Sequence, residues 1–302
     1  MNMQHAENGP VNETTRDEAT ESGPSLKQYD KVLKTLEHRV AKLEKGSANI
    51  RILALDRAVQ EMVQELFSYI TPADPVGLAF ERVGRAYDGG YIMVKHEAKS
   101  RTAYSLGINR DVSWDLAMAE RGYDVYQYDH TIIKLPVNHP RFHFRRLGIT
   151  GMSLVNDELS SLEIEIANNA HSEHHDMILK IDIEGHEWDV FNEIPEEDLS
   201  RFTQILIECH GFSKMHKLFW YRKARQALQR LATSHQVVHV HGNNNSPMVV
   251  LGGVAVPQTL ELTWLRRDIC EFAPCTRNFP TDLDQPNNPN YADHRLGRFS
   301  FF

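Results

Sequence analysis

Apolar and polar positions divide the chain into three regimes. Residues 1–25 are polar and acidic with almost no large apolar side chains, which predicts a disordered tail. Tyr29, Leu33, Leu36, Val40 and Leu43 then recur at alternating four- and three-residue steps, a short heptad seam. Gly46 and Ser47 interrupt it. A second helical run over 50–69 brings Leu55, Val59, Met62, Val63 and Leu66 to one face before Thr71-Pro72 ends it. The seam reads either as a coiled coil, joining copies of the chain or tethering it to a biosynthetic complex, or as an amphipathic helix packed on its own domain. Two heptads do not choose between these.

Beyond residue 70 short apolar runs alternate with amphipathic ones, the signature of a doubly wound, mostly parallel α/β sheet. The pattern predicts strands over 102–108, 123–128, 141–147, 177–183, 204–209 and 236–241, and helices over 112–122, 153–168 and 215–233. Residues 259–267 (TLELTWLRR) alternate cleanly and read as an edge or antiparallel strand. The Pro-, Asn- and Asp-rich end, 279–302, reads as a surface wrap. The organisation expected is a tail over 1–25, a helical segment over 26–70 and one α/β domain over 71–302.

Composition removes several alternatives. A net charge of -8 argues against a nucleic-acid partner, because phosphate neutralisation needs clustered Lys and Arg. Three cysteines without a C-x-x-C pair disfavour a disulfide framework or a structural zinc. Cys209, inside an expected strand, is most simply a core residue. No signal-peptide pattern opens the chain and no apolar run reaches membrane-spanning length, so a reducing cytoplasm is the expected location.

The first strand, Y-S-L-G-I over 104–108, puts Gly107 where strand turns to helix, with Ser105 just inside it. Asp129 ends the second strand about 20 residues later, the spacing of a carboxylate that binds ribose hydroxyls. Gly107 stands outside any G-x-G-x-x-G fingerprint, so a cofactor with a ribose and no pyrophosphate, S-adenosylmethionine, fits better than a dinucleotide. Asp88 and Gly89, in D-G-G-Y before the first strand, and Gly148, in L-G-I-T-G-M-S after the third, complete the cofactor candidates.

The order DGGY, YSLGI, VYQYD, LKIDIEGHEWDVF, ILIECHG and HVHGNN resembles the FkbM-type branch of class I S-adenosylmethionine-dependent methyltransferases, from about residue 80 to 267. The resemblance implies a Rossmann-like sheet of seven strands with the last reversed, a bound methyl donor, and methylation of an oxygen, often on a saccharide or glycan. Gly107 and Asp129 carry over as cofactor contacts, with Asp88 and Gly89 beside them. Residues 1–70 lie outside it.

In the implied sheet order the strands ending in I-D-I-E-G and I-E-C-H-G are neighbours about 4.8 Å apart. Alternation puts Lys180, Asp182 and Glu184 on one face of the first, and Glu208 and His210 on one face of the second. Asp182 and His210 are therefore expected to converge. His210 is the expected general base, since an imidazole titrating near pH 6.5 suits neutral operation, with Asp182 or Glu208 orienting it. His241 adds a polar group at the next strand end. The set Asp182, Glu208 and His210 also permits a divalent metal, Mg or Mn. His171, His174 and His175 read as a solvated loop, Glu187 as a helix-end charge, and Trp188, Trp220 and Tyr221 as packing. Two other classes remain: a non-catalytic scaffold acting through the N-terminal helices, which has no use for acidic strand ends, and a nucleotide-dependent oxidoreductase, which lacks its glycine fingerprint.

Overall fold

The structure, a computed structural model, describes residues 50–300, so the expected tail and heptad seam lie outside the described residues. Seven strands form the central sheet: β1 (Thr102–Leu106), β2 (Asp124–Tyr128), β3 (Phe142–Arg145), β4 (Met177–Ile181), β5 (Phe202–His210), β6 (His235–Gly242) and β7 (Thr259–Arg266). Their order is β3-β2-β1-β4-β5-β7-β6. Only β7 runs antiparallel to its neighbours, β5 and β6. The sheet and its reversed last strand match expectation. The position of β7 sharpens it: β7 is inserted inside the sheet and β6 takes the edge. Seven of the eight β7 residues are buried, as an inserted strand requires.

Helices cover both faces. α1 (Arg57–Tyr69), α3 (Leu162–Asn168), α4 (Glu187–Glu193) and α5 (Leu218–Ser234) pack on one, where Leu179, Ile181, Ile205, Ile207 and Cys209 join Val63, Trp188 and Leu228 in the main core. On the other face α2 (Ser113–Glu120) and the hairpin Phe80–Val83/Tyr91–Val94 cover Ile178 and Leu206. The two-residue period of β4 thus sends Leu179 and Ile181 one way and Ile178 the other, with Lys180 and Asp182 on the Ile178 side. No described helix is long and apolar enough to cross a membrane.

Two helical expectations fail for one reason. Residues 50–54 form a strand paired in parallel with Met248–Leu251, and α1 begins only at Arg57, leaving Leu55 69 % exposed. Residues 153–168 break into a short 3-10 turn (Met152–Leu154), a strand (Leu159–Ser161) paired with Gly148–Thr150, and α3, capped by the Ser161 hydroxyl accepting from the Ile164 amide. In both, a strand partner elsewhere in the chain overrides the local helical period. The C-terminal segment is also more than a surface wrap: Phe279 and Phe299 are buried in the main core.

Candidate active site

Gly107 leaves β1 with φ +79, and its amide donates to the Tyr128 carbonyl at 3.0 Å. A Cβ here would lie 1.7 Å from the Asp182 carbonyl oxygen, so the ends of β1 and β4 touch through backbone alone. The Asp182 amide answers by donating to the Leu106 carbonyl at 2.9 Å. Asp129 folds the following turn. Its Oδ2 accepts from the Ile108 and Asn109 amides at 2.9 and 2.7 Å, and its Oδ1 from the Thr131 amide and hydroxyl.

Two cavities open along the C-terminal edge of the sheet. The larger, about 720 Å³, includes Asp88, Gly89, Gly107, Asp129 and Gly148 in its walls, five of the six cofactor candidates. Ser105, the sixth, is fully buried inside β1 and lines no part of it. The smaller, about 550 Å³, is walled by Asp182, Glu208 and His210, by the turn after β5, by Phe219 and Trp220 of α5, and by the loop after β6. Asp88, Asn109, Asp182 and Glu184 border both cavities, so the two meet at the β4 end.

At this junction His210 is ringed by carboxylates. Its Nδ1 lies 2.8 Å from Glu187 Oε1, and its Nε2 lies 3.4 Å from Glu208, 3.5 Å from Glu184 and 3.9 Å from Asp182. Burial alone would lower its pKa, but the hydrogen bonds and charges of Glu187 and Glu208 prevail and raise it to about 11. His210 is therefore an imidazolium at neutral pH, against the expected imidazole titrating near 6.5. Burial raises Asp182 to about 6, with Lys180 and His210 pulling the other way. Burial and the neighbouring Asp182 raise Glu208. Ligand atoms of Asp182, Glu208 and His210 lie within 4.8 Å of one another, as a metal triad requires. An imidazolium has no lone pair to give, so in this arrangement His210 itself supplies the positive charge.

Residues 86–234 match the family profile of the methyltransferase FkbM domain. The chain carries an FkbM methyltransferase domain. No curated protein matches the chain. The matched span of this methyltransferase contains the Asp88 turn, β1, the acidic ends of β4 and β5, and α5; β6, β7 and the C-terminal segment follow it.

One nominated residue stands apart from both cavities. His241 is buried on β6, borders neither cavity, and bridges Glu261 on β7 to Asp293 of the C-terminal segment, each at 3.1 Å. Burial lowers its pKa, but the bonds to Asp293 and Glu261 outweigh this and raise it to about 10. His239 makes a parallel clamp to Asp284 at 2.8 Å. His241→Ala should destabilise the protein by about 3–5 kcal/mol at neutral pH, because two carboxylates lose their buried partner. A folded pKa above the unfolded value gives stability that is whole below about pH 6.5 and lost as pH rises through about 10. Denaturant unfolding of both proteins from pH 6 to 10 checks this: the difference should shrink steadily across the interval, and a difference independent of pH contradicts it.

Other readings change too. Glu187 stands in the first turn of α4, as expected, but it is fully buried and also pairs with His210. His171 is buried and bonded to the Tyr104 hydroxyl, so it does not belong to a solvated loop. Lys180, noted only for its face, buries its ammonium to donate to the Gly107 carbonyl at 2.9 Å and lies 5.6 Å above the Tyr91 ring. A lone lysine in an otherwise apolar strand was the available signal. Trp188 packs as expected and also donates from its indole nitrogen to the His210 carbonyl at 2.9 Å.

Proposed function

We propose that the protein transfers a methyl group from S-adenosylmethionine to a hydroxyl of a saccharide. The observation that carries this reading is the meeting of two cavities at Asp182, one fitted to a methyl donor and one to a polar acceptor. The larger cavity suits the donor's mixed chemistry. Ile108, Ile149 and Leu159 offer an apolar wall, Asp88 and Asp182 offer carboxylates for an ammonium group, and Lys180 offers a buried cation. Asp129 accepts two of its four hydrogen bonds from the turn after β1, at Ile108 and Asn109, and two from Thr131 in its own loop, so it shapes this wall. When bound, S-adenosylmethionine supplies a methyl group already activated on a sulfonium.

The chain's task is then alignment and removal of one proton. The smaller cavity combines carboxylates and side-chain amides with the aromatic faces of Trp188, Trp220 and Phe219, the mixture that grips a sugar's hydroxyls and its apolar ring face. Asp182 is the proton acceptor in this reading. It borders both cavities and, with a pKa raised to about 6, is a stronger base than an ordinary carboxylate while still ionised at pH 7. His210 positions it and balances its charge, and Glu187 and Glu208 hold His210. Calorimetric titration with S-adenosylmethionine should show saturable binding, and a radiolabelled methyl donor should then label sugar nucleotides or glycan fragments. Absence of binding at millimolar donor would overturn the reading.

A further inference from the structure

α5 carries more apolar surface at its start than its packing uses. Trp220, Ala224, Ala227, Leu228 and Leu231 recur at helical spacing and are buried. Trp220 anchors this stripe in the first turn, its ring 5.3 Å from Trp188 and 5.8 Å from Phe212. Leu218 and Phe219 lie off the stripe, 53 and 85 % exposed, and neither joins the core that the same helix builds. A single exposed leucine is ordinary. Two adjacent large apolar side chains turned outward, one of them on the rim of the smaller cavity, mark a surface that something else covers.

The charges around this pair identify its counterpart. Arg222 follows Leu218 by four residues and Phe219 by three, which puts it on their face of the helix. Lys217 immediately precedes α5, and Lys214 ends the short 3-10 turn before it (Phe212–Lys214). All three cations are exposed, and among the described residues none of them forms an ion pair. Lys223 differs, because Asp189 holds it at 2.6 Å. The first turn of α5 contains no acid. A basic surround thus encloses two apolar side chains on a chain whose net charge is -8. At physiological salt, exposed charges beyond about 8–10 Å are screened, so the local sign decides what approaches this surface. A stable protein partner covers about 800 Å² on each side with a contiguous apolar centre. Two side chains among cations offer far less, whereas shallow insertion between lipid headgroups and acyl chains needs little more.

We propose that the start of α5 and the turn before it dock on a bilayer surface rich in anionic lipid. Leu218 and Phe219 enter the acyl boundary, while Lys214, Lys217 and Arg222 lie among the headgroups. Lys214 and Phe219 also border the smaller cavity, so docking sets the mouth of that cavity against the membrane. An acceptor carried on a lipid would then reach the cavity without leaving the surface. That consequence rests on the proposed methyl transfer; the docking does not.

The test is flotation of the full chain with phosphatidylcholine vesicles, with and without phosphatidylglycerol. Wild type should float with the mixed vesicles, remain behind with phosphatidylcholine alone, and be released by salt. Leu218→Ser/Phe219→Ser should weaken binding by about tenfold or more. Lys214→Gln/Lys217→Gln should do the same, since each basic residue near an anionic surface contributes about fivefold. Lys95→Gln/Lys99→Gln changes the net charge equally at exposed positions leading into β1, and it should leave binding within about threefold. All these side chains are exposed, so melting temperatures near wild type should show that each variant is folded. The proposal is overturned if wild type ignores anionic vesicles, or if folded Leu218→Ser/Phe219→Ser binds them as wild type does. Equal loss in Lys95→Gln/Lys99→Gln would overturn it too, making overall charge the cause. Self-association that depends on Leu218 and Phe219, without vesicle binding, would assign the pair to a protein interface instead. Vesicle binding is read directly, so its failure is distinct from failure of methyl transfer.

Discussion

Gly107→Ala should lose S-adenosylmethionine binding and more than about 4 kcal/mol of stability, the range reserved for changes that a fold cannot absorb. The new Cβ would stand 1.7 Å from the Asp182 carbonyl oxygen and 2.8 Å from its carbon. Carbon contacts settle at about 3.5–4.0 Å, so one strand must move. Moving either breaks the Asp182 amide bond to Leu106 or the Gly107 bond to Tyr128, and tears open the wall of the larger cavity. A left-handed φ is not the reason by itself. Gly122 has φ +88 with nothing within 4 Å of an added Cβ, so Gly122→Ala should cost only about 1 kcal/mol of backbone strain. Thermal unfolding of both variants with donor titration separates strain from collision. A Gly107→Ala protein that melts beside wild type and binds donor normally would show that the two strand ends are not in contact.

Asp182→Asn should lower kcat by about 10²–10⁴-fold with donor affinity largely kept, because an amide cannot take up the hydroxyl proton. The pH profile carries the sign. The base works ionised, so the wild-type rate should be level above about pH 6 and fall as Asp182 takes up a proton below it. The His210 charge holds the Asp182 pKa down, and His210→Gln should therefore move the acid limb to higher pH as well as slow the reaction. A merely structural histidine would alter melting without shifting that limb. Retention of the rate within tenfold in folded, donor-binding Asp182→Asn would remove Asp182 from the chemistry.

What could be read in advance follows from the range over which each signal acts. Alternation in M-I-L-K-I-D and I-L-I-E-C-H is local, and it put Lys180, Asp182, Glu208 and His210 on the faces they occupy. Gly107 was legible because few residues tolerate its turn. The state of His210 was not, since it depends on Glu187 folding back from α4 and on burial that no single segment encodes. The same holds for His241, whose partner Asp293 is 52 residues away, and for Asn287, which meets Asp88 across 199 residues. The strand at 50–54 was hidden for the same cause: its partner begins at Met248.

The walls of the smaller cavity come from separate places: the β4 and β5 ends, the turn after β5, the start of α5 and the loop after β6. The first of these is tied to β1 through main-chain atoms, whereas the others join buried groups such as Trp220 and Asn243 to exposed rim positions. In the proposed reaction, reach between the reacting groups would be a property of the scaffold, and acceptor preference would reside in the exposed rim positions, which can change residue without disturbing it. Phe219, 85 % exposed at the rim, is the clearest such position. In the proposed reaction, acceptor range would drift by substitution at the rim with the transfer step left untouched.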